Sequence, residues 1–209
     1  CYDGSGSMGP EDENAVPEFS FQNHVWPDQK KWIHETIKKL KALEDEETAD
    51  RQTFKIGLVQ FSDKTRLDKK LSFLDQEISV GSMLDGGTEF DLGLNLSGKQ
   101  FSQDTNKYKI ILFTSDGANP TYSQTGGISD VTKKLYEINK DSDTTEEKVR
   151  IRTVPVQIAN ASVGPLKAVG RGGQGLGPDK EPEMLEWNDT SQGVPTDLFF
   201  QTLQIVSPQ

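Results

Sequence analysis

Asp3-Gly4-Ser5-Gly6-Ser7 sets one carboxylate and two hydroxyls at alternate positions, with a glycine between each pair. Glycine lets the backbone turn tightly, so three oxygens this close in sequence can converge on one point. A donor set without sulfur or imidazole suits a hard cation: Mg²⁺, Mn²⁺ or Ca²⁺. Taken alone the run is a common turn composition. Two later segments add oxygen donors of the same kind. Asp85-Gly86-Gly87-Thr88 is a turn that delivers a threonine hydroxyl ahead of a helical pattern. Ile110 to Gly117 is an apolar strand that ends in Asp116 and a glycine.

In this order and spacing the three segments resemble the von Willebrand factor A domain. Its metal-ion-dependent adhesion site combines an Asp-x-Ser-x-Ser loop with a distant Thr and a distant Asp. The resemblance covers nearly the whole chain. It implies that Ser5, Ser7 and Thr88 touch a divalent metal directly, and that Asp3 and Asp116 act mainly through bound waters. Neutral hydroxyl ligands leave most of the metal's charge unquenched, and outer carboxylates orient the inner ones. An Asp or Glu of a partner protein would fill the open coordination position. The competing reading is three unrelated, solvated acidic loops, which the shared context of the segments disfavours.

The elements that must position these residues alternate between strand and helix, which points to a mostly parallel sheet with helices on both faces. Pro27 opens a helix with Trp32, Ile33, Ile37, Leu40 and Leu43 at helical spacing and lysines on its other faces. Phe54 to Phe61 reads as a strand, and Thr65 to Phe73 as an antiparallel edge strand whose lysines discourage aggregation. Thr88 to Phe101 and Ile128 to Ile138 read as helices. Tyr108 to Phe113 has the near-continuous apolar character of a strand buried on both faces. Val149 to Ala159, a short Met184 to Trp187 strand and a closing helix through Leu198 and Val206 complete the order. This matches the Rossmann-like, doubly wound layout that the resemblance implies. The metal loops would then lie at the carboxyl ends of the strands.

Two features depart from that family pattern. Only Cys1 and Tyr2 precede Asp3, where the family has a full central strand. An unpaired slot would leave buried backbone groups costing about 1–3 kcal/mol each. The expectation is therefore one domain over residues 1–209, incomplete at its N-terminus. An upstream segment or another chain would supply the strand, between Phe54–Phe61 and Tyr108–Phe113. The second departure is a longer link, residues 9–26, after the metal loop. Its Glu11, Phe19, Phe21 and Trp26 are candidates for a partner-binding rim, because loops carry function and aromatic residues anchor interfaces. The alternative is an ordinary packed loop.

Composition narrows the function classes. A chain of 209 residues with a formal net charge of −10 fits a single core and argues against nucleic acid, which wants a basic face. No run reaches the roughly 20 apolar residues of a membrane span. Cys1 is the one cysteine, so no internal disulfide can form. Sequons at Asn95, Asn160 and Asn188 permit N-glycosylation. Gly170 to Gly175 matches G-x-G-x-x-G, but it does not open a helix after the first strand and reads as a flexible loop. The sequence contains no Walker A lysine motif and no Cys/His or Ser/His/Asp constellation. These features favour a non-enzymatic adhesion module that acts outside the cell and binds an acidic partner through Mg²⁺, Mn²⁺ or Ca²⁺. Alternatives are a structural part of an extracellular filament or matrix, and an accessory subunit of an intracellular ATPase of the metal-chelatase type. An aspartyl-phosphate enzyme ranks last, because position 5 lacks the second aspartate that chemistry would use.

Overall fold

The computed structural model describes residues 1–10, 25–46, 54–74, 78–104, 108–117, 130–139, 150–158 and 162–187. Six strands form one sheet, β1 (Tyr2–Asp3), β2 (Lys55–Phe61), β3 (Thr65–Phe73), β4 (Tyr108–Ser115), β5 (Arg150–Ile158) and β6 (Leu185–Trp187). The helices are α1 (Trp26–Glu46), α2 (Phe90–Gln100), α3 (Asp130–Asn139) and α4 (Val163–Gly173). Spatial order is β3-β2-β1-β4-β5-β6, and every pairing is parallel except β2 with β3. The fold is therefore the doubly wound α/β class that the strand–helix alternation predicts.

Strand alternation divides the core into two layers. On one face Tyr2, Leu58, Val154, Val156 and Ile158 pack with Trp26, Trp32, Ile33 and Leu40 of α1. On the other, Phe61, Ile111 and Phe113 meet Phe90 and Leu94 of α2, Leu135 of α3 and Leu166 and Val169 of α4. The rings of Phe61 and Phe113 stack at 5.0 Å, and Phe90 stands edge-on to both at 5.8 and 4.9 Å. Burying such side chains is worth about 1.5–3 kcal/mol each, which is what holds the helices to the sheet.

β1 is short, and it lies where the placement of Asp3 required. Tyr2 pairs with Gln60 and Thr114, and Asp3 pairs with Phe61, so β2 and β4 stand on either side of β1. The Thr114 N–H donates to the Cys1 carbonyl at 3.0 Å, and the Gly4 N–H to the Phe61 carbonyl at 2.7 Å. The chain moves one way from β1 to β2 and the other way to β4, which makes the carboxyl end of β1 the topological switch point of the sheet.

Two sequence expectations need correction. Trp26 is not a rim residue. It has no exposed surface, begins α1, and stacks on Tyr2 with ring centroids 6.0 Å apart. Nor is Gly170 to Gly175 a loop, because α4 continues through Gly173 and the glycines face its neighbours. A Cβ on Gly172 would lie 1.9 Å from Thr132 Cγ2, one on Gly173 2.2 Å from Thr153 Cβ, and one on Gly170 2.7 Å from Pro182 Cβ. Glycine costs a helix about 1 kcal/mol relative to alanine, and here that cost is offset by close approach of α4 to α3 and β5. Only Gly175, at φ 69°, makes the turn that ends the helix. The expected helix through Leu198 and Val206 lies outside the described residues.

Gly172→Ala should therefore destabilise the protein by about 1–3 kcal/mol. Gly98→Ala in α2, where nothing beyond its own helix lies within 4 Å of the new methyl group, should be neutral or stabilising. Urea unfolding midpoints of the two variants check this, and equal midpoints would refute the packing role.

Candidate metal-binding site

Asp3 ends β1 with no exposed surface. Its Oδ1 accepts the Ser5 N–H at 2.9 Å, and its Oδ2 accepts the Ser115 hydroxyl at 2.6 Å. The first bond bends the chain back over the strand end, and residues Gly6–Met8 continue as a single 3-10 turn. That turn brings Ser5 Oγ and Ser7 Oγ to 3.0 Å from each other. Ser5 is buried and Ser7 half-buried.

Backbone bonds knit the second segment to this loop. The Gly6 N–H donates to the Gly86 carbonyl at 2.9 Å, and the Asp85 N–H to the Gly4 carbonyl at 2.8 Å. The turn uses left-handed backbone at Asp85 (φ 60°) and Gly86 (φ 93°), which glycine adopts without strain and aspartate tolerates. Thr88 follows as a buried residue, fixed by the Glu89 N–H donating to the Ser62 carbonyl at 2.9 Å. The third segment supplies Ser115 and Asp116, both buried, at the end of β4. Gly117 turns away at φ 75°, and the Ser162 N–H holds the Asp116 carbonyl at 3.0 Å. The three segments singled out in the sequence thus meet at the switch point.

Two buried carboxylates at the ends of adjacent strands repel. Burial first, and then the charge of Asp116, push Asp3 up to about 7, against the lowering effect of the Ser115 and Ser5 hydrogen bonds. A cation beside this pair would reverse both causes. The hydroxyls fit a small cation as well. Octahedral ligands at 2.0–2.1 Å from Mg²⁺ sit about 2.9–3.0 Å apart along an edge, a separation that the Ser5 and Ser7 hydroxyls, hydrogen-bonded to each other at 3.0 Å, already have. Among the described residues no three His, Cys, Asp or Glu side chains converge as a metal cage. The donors gathered here are hydroxyls with flanking carboxylates.

Several supporting residues carried no signal in the sequence. Gln29, fully buried on α1, donates to the Asp3 carbonyl at 2.6 Å and accepts the Thr114 hydroxyl at 2.7 Å, tying α1 to β1 and β4. Ser115 was hidden as the residue before the expected acid. The Asp85 carboxylate lies 2.8 Å from where a Gly6 Cβ would stand, so Gly6 admits that side chain. Asn95 is exposed on α2, while its sequon partner Ser97 is buried. Glu11, Phe19, Phe21, Asn160 and Asn188 lie outside the described residues.

No protein-family model matches the sequence, and no curated protein matches it. Solved structures do. The PilB minor pilin from Streptococcus sanguinis superposes with a TM-score of 0.61 at 14% identity, over 99% of this chain and 60% of that one. An aerotolerance-related membrane protein from Bacteroides fragilis NCTC 9343 gives 0.59 at 14% identity, over 98% and 96%. The ArnB paralog VWA2 from Sulfolobus acidocaldarius gives 0.50 at 15% identity, over 91% and 40%. The chain has a von Willebrand factor A-like fold. At these identities the likeness is one of architecture, and the VWA-like chain spans 60% of the pilin and 40% of VWA2.

In chelator-treated protein the folded state holds a proton on Asp3 more tightly than the unfolded chain does. The stability this contributes is present below the ordinary value of 3.8 and is lost as pH rises to about 7. Asp116→Asn removes the neighbouring charge and should lower the Asp3 ionisation midpoint. Carboxyl NMR titration reads it, and an unmoved midpoint would exclude Asp116 as a cause.

Proposed function

We propose that this VWA-like domain is a non-enzymatic protein-binding module. Its site would take Mg²⁺ or Mn²⁺ through Ser5, Ser7 and Thr88, with Asp3 and Asp116 holding bound waters, and would present the metal to an Asp or Glu of a partner. The observation that carries this reading is the Ser5–Ser7 hydroxyl pair, at 3.0 Å, set at a strand end beside two buried carboxylates. Ca²⁺, with ligands at 2.3–2.6 Å, would spread the same pair further, so the smaller cations fit better.

The metal would supply a Lewis-acidic position for a carboxylate oxygen. The chain's own groups do the rest. Ser115 and the Ser5 N–H lock the Asp3 carboxylate in one orientation. Gln29 fixes the strand end from below, and the Gly6–Gly86 bond keeps the threonine-bearing turn against the loop. An extracellular setting is part of the proposal. It draws support from the sequons and from the pilin among the structural neighbours, and the membrane protein among them leaves room for a membrane-attached form.

Isothermal calorimetry with Mg²⁺ and Mn²⁺ on wild type, Thr88→Ala and Asp116→Ala tests the site. Wild type should bind, and each variant should lose at least about tenfold in affinity, in line with the loss of a ligand or its orienting group. Equal binding in all three would overturn the assignment. Capture of a matrix protein that survives both chelator and Thr88→Ala would favour the filament or matrix reading instead.

A further inference from the structure

β3 is an edge strand of nine residues, and its chemistry differs from that of the chain around it. The protein carries a net charge of −10, yet Thr65–Phe73 holds Arg66, Lys69 and Lys70 against the single acid Asp68. That acid is already engaged. Its carboxylate accepts from Arg66 Nε at 2.5 Å, from the Tyr2 hydroxyl, and from Gln60 Nε2 at 3.4 Å. Lys69 and Lys70 form no ion pair with any described residue. A recess of about 440 Å³ opens beside them, lined by Asp68 to Ser72 on β3 and by Ile78 and Ser79. Among the described residues the exposed large apolar side chains are Leu67 and Phe73 on β3 and Leu92 on α2, the helix packed against β3.

An edge strand offers unpaired N–H and C=O groups to any extended chain of suitable side-chain chemistry. Here the side chains choose the occupant. Two copies paired antiparallel about Lys69 would set Lys69 directly against its own copy, which disfavours that pairing of a second β3. An acidic strand meets the opposite situation: its carboxylates face two lysines that hold no ion pair among the described residues, while its apolar residues cover Leu67 and Phe73. We propose that β3 is a second protein-binding surface, which adds an extended, acidic segment of a partner as a seventh strand and seats one of its carboxylates in the recess beside Lys69 and Lys70. The surface lies apart from the candidate metal-binding loop, which sits at the carboxyl end of β1.

The test uses the full chain and fluorescence anisotropy with a labelled nine-residue peptide of alternating valine and glutamate. Three comparisons accompany it: the valine–lysine peptide, the valine–glutamate peptide with proline at its central positions, and the parent peptide in chelator. The acidic peptide should bind at least about tenfold tighter than the basic one. Proline should abolish binding because it denies the strand hydrogen bonds, and chelator should leave it unchanged. Lys69→Glu with Lys70→Glu should invert the preference between the two charged peptides. If circular dichroism shows that variant unfolded, Lys69→Gln with Lys70→Gln should still lose about tenfold for the acidic peptide. Binding that tolerates proline, or that keeps its preference in a folded variant, would overturn the proposal. So would dimerisation of the chain that Lys69→Glu prevents, since the occupant would then be a second copy.

Discussion

A carboxylate without solvent, at the end of a strand only two residues long, is the constraint around which this molecule is arranged. Asp3 must have partners for both oxygens, because an ionised carboxylate left bare in the interior costs several kcal/mol. One partner is local, the Ser5 N–H two residues on. The other is the Ser115 hydroxyl, more than a hundred residues away at the end of β4. The chain can satisfy Asp3 only when β1 and β4 are adjacent and in register. The loop that follows Asp3 inherits its shape from that requirement.

The arrangement leaves one account open. Asp116 adds a second buried negative charge beside the first, and burial with that charge holds the proton on Asp3 up to about 7. Two such groups repel, and under the proposed function a cation held by the serine hydroxyls would relieve them. A cation bound there would couple occupancy to local order. The backbone bonds from Gly6 and Asp85 join this loop to the turn that bears Thr88.

Around the site the structure spends glycine where two backbones must approach. Gly93 lets α2 settle on Phe61, whose ring lies 2.7 Å from where its Cβ would be. Gly170, Gly172 and Gly173 do the same for α4. Both helices lie on the face opposite α1, so the close packing of that layer depends on side chains that are absent. The opposite layer is built from large ones, with Trp26, Tyr2 and Trp32 filling the space under α1.

Much of this was legible in the order of residues. The alternation of apolar runs with helical periodicity gave the α/β class, because the two periods, 2.0 and 3.6, leave different imprints on a chain. The segment Thr65–Phe73 was bounded correctly as an antiparallel strand bearing lysines. The three site segments were visible because together, in order and spacing, they resemble the von Willebrand factor A pattern. What the sequence could not carry was anything decided by a neighbour far along the chain. A glycine-rich stretch is a loop or a tightly packed helix depending on what faces it, and Thr132, Thr153 and Pro182 decided that for α4. Trp26 reads as an interface anchor or a core residue by the same logic, and the ring of Tyr2 made it core. Gln29 looked like any polar residue on a helix until β1 and β4 placed a carbonyl and a hydroxyl on either side of its amide. Local pattern fixes which elements form, since it acts through the backbone of each segment. Burial and close approach belong to pairs of segments, and only the packed structure brings those pairs together.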